Sequence, residues 1–219
     1  MALHPTSRQV GGLGLGSLVI VLGGMLAAAL AFRGHGLETY SPFNHFISEL
    51  GDGDASGLAW AFDLGLVVGG LGLGAFLMLV SRDLDGRYRS VMGAAAAVAG
   101  VSGVLVGVFP INYGTPHRVV SFAFFLSAWV VAASFAFWLA RRPRPGFPRW
   151  LVVPGFTVVA VSWIFIGVYS TYRPADPDAP ILARPGLWTV PLLEWASLLS
   201  LLLWIGCVAL VMLRRRPAD

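Results

Sequence analysis

The chain has 219 residues, of which 57% are hydrophobic and only 12% charged, about half the ~25% charged content of soluble domains. Its mean hydropathy is +0.76. These figures exclude a soluble globular enzyme and a disordered chain. The basic balance, 15 arginines without a lysine against 11 acids, could suit a nucleic acid, but the arginines are distributed as a membrane protein distributes them. No nucleic-acid partner is therefore expected.

A spanning helix needs about 20 mostly apolar residues, since ~30 Å of hydrocarbon is crossed at ~1.5 Å per residue. Six segments qualify: 10–32, 57–80, 91–110, 119–140, 150–170 and 188–213. Backbone groups in lipid must be satisfied within the segment, so each run is predicted to be a helix. The alternating strands of a membrane barrel are absent. The expected architecture is all-α, a single six-helix transmembrane domain over 1–219 with no soluble domain. The first run is too long for the apolar core of a cleaved signal, and only His4 and Arg8 give its front a basic character, so it reads as a retained helix. The lone Cys207 excludes an intrachain disulfide framework.

Arginine placement sets the expected direction. With the N-terminus in the cytoplasm, the inner side carries Arg8, Arg82, Arg87, Arg89, Arg141, Arg142, Arg144, Arg149, Arg214, Arg215 and Arg216. The outer side keeps Arg33, Arg118, Arg173 and Arg184. The reading is a multi-pass cell-membrane protein with both termini cytoplasmic. Its partners are membrane lipids, and the inner arginines are suited to anionic ones.

Glycines recur four residues apart at Gly65 and Gly69, Gly70 and Gly74, and Gly103 and Gly107. Such pairs let backbones approach closely, either within the bundle, which is the favoured reading, or across a homo-oligomer seam. Trp60, Trp188, Trp195 and Tyr172 are expected in an outer aromatic belt, and Trp138 and Trp150 in an inner one.

Polar chemistry concentrates in the outer connections. In Ser41–Asp52, Ser41 can cap a helix, Pro42 suits its first position and Gly51 its stop. Phe43, Phe46, Ile47 and Leu50 would share one face, with Asn44, His45, Ser48, Glu49 and Asp52 on the other. The spacing predicts a short amphipathic outer helix between spans one and two, lying on the membrane surface or folded over the bundle mouth. A second polar stretch, Phe109–Arg118, contains Asn112, His117 and Arg118. His117 and Arg118 fall at a helix start, where the backbone dipole disfavours cations, so they need partners. Asp63 and Glu194 lie inside spans, about 10 Å below the outer boundary at ~1.5 Å per residue. An acid at that depth must face the bundle, find a partner or take a proton. A structural pair of Glu194 with Arg118 is one outcome; membership of a site is the other.

The candidate acid–base residues are thus His45, Glu49, His117 and Glu194, with Asn44, Ser48, Asp52, Asp63, Asn112 and Arg118 as candidate ligand-binding groups. No cofactor is predicted. Two histidines and two carboxylates would be acceptable zinc chemistry, but no spacing compels a metal, and haem would have only His45 and His117 as axial ligands.

The segment Asn44-His45-Phe46-Ile47-Ser48-Glu49-Leu50-Gly51, the pair Phe109-Pro110 followed by His117, and an acid in the last span resemble the prokaryotic six-helix membrane family catalogued as domain of unknown function 998. The resemblance runs over essentially the whole chain, and the Asn-x-x-Ile-Ser-Glu-Leu-Gly segment is its more specific part. It implies a fold and a membrane location rather than a reaction. On topology there is also a more distant similarity to the Frag/DRAM/Sfk membrane proteins, which implies lipid handling.

Two functional classes follow. One is a non-enzymatic membrane protein whose outward polar pocket binds a lipid headgroup or small ligand. The other is a membrane-embedded lipid hydrolase or transferase, with His45 or His117 as base, Glu49 or Glu194 as the second acid–base group, and Arg118 on the headgroup. No G-x-S-x-G or H-E-x-x-H motif names a hydrolase class. A transporter is disfavoured, because the ionisable groups sit at one depth and no repeat is visible.

Overall fold

A computed structural model describes residues 5–142, 146–172 and 184–215. Arg144, Arg173 and Arg216 of the arginine count, with His4, lie outside the described residues. Among the described residues six helices are long and apolar enough to cross a membrane: α1 (Ser7–Leu30), α2 (Ala59–Ser81), α3 (Gly86–Val108), α4 (Thr115–Arg141), α5 (Val152–Thr171) and α6 (Thr189–Arg214). No strand occurs among the described residues; one isolated bridge joins Phe32 and Ser56.

Local chemistry explains the boundaries. Thr6 and Gln9 form a reciprocal cap at the start of α1, with the Thr6 amide donating to Gln9 Oε1 at 2.8 Å and the Gln9 amide donating to Thr6 Oγ1 at 3.3 Å. Pro110 closes α3, because the residue before a proline is pushed out of the helical region; Phe109 accordingly leaves it at ψ 76°. Pro116 sits in the first turn of α4, where the missing amide costs nothing.

The helices form a ring in chain order. Each packs on its successor, and α6 closes against α1. Glycines set the closest approaches. A Cβ at Gly74 would lie 2.7 Å from the Gly100 Cα, and one at Gly107 would strike the Asp63 carbonyl. Gly65 and Gly69 face α1, while Gly70 faces Gly103 and Val104. All three predicted glycine pairs are therefore engaged within the chain.

The arginine-rich end of the ring is filled by aromatics. Phe135 meets Trp204 at 5.6 Å and Phe147 at 5.2 Å, and Trp138 packs on both phenylalanines. Trp138 is fully buried. That corrects its assignment to an aromatic belt: its ring completes the core, whereas Trp60 and Trp150 are exposed as a belt requires.

The other end is closed by the connection between α1 and α2. Its base is stapled: the amides of Arg33 and Gly34 donate to the Ala55 carbonyl, Gly57 donates to Ala31, and Ser56 Oγ donates to the Ala28 carbonyl at 2.8 Å. The expected amphipathic helix is replaced by a turn over 41–45 and a 3₁₀ turn, Ile47–Gly51. Phe46, in extended conformation, separates them. The expected polarity also fails. His45, Glu49 and Asp52 are buried, while Phe43 is 56% exposed. The segment is a plug seated among α1, α2 and α6 rather than a helix lying at an interface.

Candidate functional site

The plug is held by carboxylates on consecutive amides. The Phe46 N–H donates to Glu49 Oε1 at 2.7 Å, and the Ile47 N–H donates to Glu194 Oε2 at 2.7 Å. Glu194 is the sixth residue of α6 and Asp63 the fifth of α2. Both therefore lie about 6–8 Å into their helices at ~1.5 Å per residue. The pairing of Glu194 with Arg118 is not formed; the Ile47 amide takes that carboxylate instead.

The cation of this cluster is Arg184. Its guanidinium makes a two-pronged contact with Glu49, Nη1 to Oε1 at 3.1 Å and Nη2 to Oε2 at 3.0 Å, and Nη1 also donates to the Asn44 carbonyl at 3.0 Å. Both side chains are buried. A buried pair of this kind needs full hydrogen bonding to offset desolvation, and the Phe46 amide and Asn44 carbonyl supply part of it. Asn44 Nδ2 donates to the Pro185 carbonyl at 3.1 Å, and the Trp188 amide donates to the Phe43 carbonyl. The entry to α6 is thereby tied to the plug. Phe46 anchors the same junction, edge-on to Trp188 at 5.3 Å.

His45 is almost wholly buried, edge-on to Phe32 at 5.0 Å and tilted against Tyr40 at 5.2 Å. Its Nδ1 lies 3.2 Å from both the amide and the carbonyl of Ser41. When Nδ1 accepts the amide proton, Nε2 carries the ring proton. That nitrogen has no hydrogen-bond partner among the described residues. It faces Glu38 Oε1 at 3.6 Å, and Arg184 Nη2 lies 3.7 Å from the same oxygen. Burial alone raises the Glu38 carboxyl, but its own amide, the Gly36 amide, His45 and Arg184 outweigh that and hold it below its ordinary range. Gly34 and Gly36 leave room for it, since a Cβ at either would strike its carboxylate. Tyr40 donates to the Phe46 carbonyl and accepts from Trp195 Nε1, both at 3.0 Å. Burial, then the nearby Glu194 charge, push its phenol well above the ordinary value, so it stays a donor.

Asp52 organises a second group. It accepts from Asn112 Nδ2 and from the Asp54 amide, each at 2.9 Å, and contacts His35 Nε2 at 2.9 Å. Burial raises its carboxyl, but Asn112, the Asp54 amide and His35 override burial and lower it overall. Asp63 packs under the plug: a Cβ at Gly51 would come within 2.6 Å of its Oδ1, a buried oxygen with no hydrogen-bond partner among the described residues. Ser48 is half-buried.

His117 has separate polar contacts. Its Nδ1 lies 2.8 Å from the Phe109 carbonyl, which can only accept, so Nδ1 carries the proton. Nε2 of the neutral ring is then an acceptor, and Ser121 Oγ donates to it at 3.3 Å. Arg118 Nη2 donates to Thr115 Oγ1 at 2.8 Å. Of the predicted acid–base residues, His45, Glu49 and Glu194 converge around residues 46 and 47, and His117 does not join them. Among the described residues no three His, Cys, Asp or Glu side chains come together as a metal site would need.

Sequence reasoning missed Arg184, Glu38, Tyr40 and Ser121. In the sequence Arg184 counts only as one of the outer arginines, although the buried Glu49 requires a cation. Ser121 stands four residues after His117, which places both on one helical face.

The model of a family described as "Protein of unknown function (DUF998)" matches residues 20–211. Neither a curated protein nor a solved structure matches the chain.

Proposed function

For this chain, which belongs to the DUF998 family, we propose a cell-membrane protein with cytoplasmic termini that binds an anionic headgroup or small anion at its plugged end, without chemistry on it. The observation that carries this reading is the buried His45 Nε2 without a hydrogen-bond partner, facing the part-exposed Glu38, whose Oε1 it shares with Arg184. The hydrogen bonds made by His45, Arg184, Glu49 and Glu194 are 2.7–3.2 Å long, whereas His45 and Arg184 reach Glu38 Oε1 only at 3.6 and 3.7 Å, and the other Glu38 oxygen accepts from the Gly36 amide at 3.0 Å. Glu38 is also 33% exposed, against 2% for His45. A tethered carboxylate thus occupies the seat an external carboxylate or phosphate would take. Simple addition is unfavourable, because Glu38 and Glu49 already share one guanidinium. The anion must replace Glu38 rather than join it. Glu49 and Glu194 hold backbone amides, a role that favours scaffolding over proton transfer.

The test uses the full chain in phosphatidylcholine nanodiscs, titrated with dihexanoyl phosphatidate against dihexanoyl phosphatidylcholine. The phosphatidate is expected to bind selectively. Glu38→Gln removes the competing charge and should tighten binding about tenfold, close to 1.4 kcal/mol; His45→Phe should weaken it as much. Equal binding of both lipids, or tighter binding lost in Glu38→Gln, would overturn the reading.

The hydrolase alternative has one observation in its favour. Ser121 donating to a His117 whose tautomer is set by the Phe109 carbonyl is a nucleophile–base–orienter arrangement. Labelling of Ser121 by a fluorophosphonate, lost in Ser121→Ala and His117→Gln, would support it; an unlabelled serine would reject it.

A further inference from the structure

Away from the plug, the arginine-rich end carries a groove of about 240 Å³ between α3 and α4, open on its side. Its lining, including Val91, Trp129, Ala133 and Phe137, is almost entirely apolar, with Arg87 and Tyr88 at the mouth. The volume is below the ~300–1,000 Å³ of pockets that enclose compact ligands. A shallow, open, apolar trough suits a flexible chain lying along it.

The charges at the mouth identify the occupant. Two other arginines at this end are neutralised by nearby acids: Arg142 pairs with Asp85 at 2.5 Å and Arg215 with Asp83 at 2.6 Å. Arg87 and Arg141 meet no carboxylate among the described residues. Arg87 lies over the Tyr88 ring at 5.6 Å; Arg141 lies over Phe137 at 5.2 Å and donates to the Tyr88 hydroxyl at 3.2 Å. Both guanidiniums are exposed, and both flank Tyr88. They present uncompensated positive charge where an apolar trough begins, at the end of two spans.

We infer that this groove holds an acyl chain of an anionic phospholipid whose phosphate sits between Arg87 and Arg141. The headgroup supplies the missing negative charge, and Tyr88 braces Arg141 through a hydrogen bond. The bound chain runs from the mouth toward Trp129, which lies twelve residues before Arg141 on α4, about 18 Å at ~1.5 Å per residue. A basic rim at the bilayer surface contributes of order 1 kcal/mol per arginine, so enrichment of an anionic over a zwitterionic lipid should be about fivefold or more.

Trp129 is the reporter. The full chain is placed in nanodiscs of mixed phosphatidylcholine and phosphatidylglycerol, with mid-chain bromines on one lipid or the other at fixed total composition. The difference between wild type and Trp129→Phe isolates the quenching of Trp129. Brominated phosphatidylglycerol is expected to quench it well beyond its share of the bilayer. That preference should be lost in Arg87→Gln with Arg141→Gln and kept in the paired lysine variant. The single Arg87→Gln, at an exposed position, should reduce it if the double variant is poorly folded. Quenching in proportion to bulk composition in the wild type, or a preference that survives both glutamine variants, would overturn the inference.

Discussion

Charge is handled oppositely at the two ends of the ring. At the plugged end, Glu49, Glu194 and Arg184 are buried, and two of their bonds bridge chain positions 135 and 147 residues apart. At the other end, Arg142 and Arg215 also reach acids 57 and 132 residues away in the chain, but these pairs stay at least partly exposed, and the arginines of the rim stay at the surface. The contrast teaches that similar residue types stabilise tertiary structure only where the chain removes them from water. Exposed pairs are screened and contribute little, whereas a buried group left unpartnered is costly.

The largest effect expected from this contrast is at Glu49. Glu49→Ala leaves the buried Arg184 without its two-pronged partner and the Phe46 amide without an acceptor. The expected loss is about 3–5 kcal/mol, measured by denaturant unfolding in a fixed detergent. A loss below 1 kcal/mol would make the plug no different from the arginine-rich end. Next comes the packing that supports both ends: Gly74→Val drives a side chain onto the Gly100 backbone and should cost about 1–3 kcal/mol.

Glu194 sharpens the comparison further. Glu194→Gln keeps an acceptor for the Ile47 amide and should be mild, whereas Glu194→Leu leaves that amide unsatisfied and should cost about 1–3 kcal/mol. Equal effects of the two would mean that the negative charge, and not the hydrogen bond, holds the plug. Acid should act on the same end. Because Asp52 is held below its ordinary value of 3.8, its contribution is complete above that value and is lost as pH falls through the lower folded one. Protection factors of the amides at residues 54–56, corrected for intrinsic exchange, should therefore fall on acidification below about 4, and Asp52→Asn should remove the dependence; protection lost as pH rises would be the wrong sign. The smallest effect belongs to the opposite end, where Arg142→Ala removes an exposed pair and should change stability by about 0–1 kcal/mol.

The six spans were legible because twenty apolar residues have one stable form in lipid. Glycine spacing announced close helix packing for a similar reason, since it is a property of one helix face. The plug was not legible. Phe43, Phe46, Ile47 and Leu50 follow a helical period, but the Ile47 amide finds its acceptor on the last helix, and no local pattern encodes that. Arg184 reads like any loop arginine until Glu49 is seen beside it. For His117 the need for a partner could be read from its place at a helix start, yet the partner is the carbonyl of Phe109, which has no sequence signature. Trp138 lies at the depth of a belt residue; only packing shows that it faces inward.

The proposed anion site stands or falls on His45 as the group that receives the external anion. ¹⁵N NMR of histidine-labelled protein in nanodiscs, with His45 and His117 assigned by substitution, tests it directly. Adding dihexanoyl phosphatidate should move the His45 Nε2 resonance while leaving those of His117 in place. A spectrum in which His45 stays fixed at saturating lipid, or in which His117 alone responds, would contradict the account.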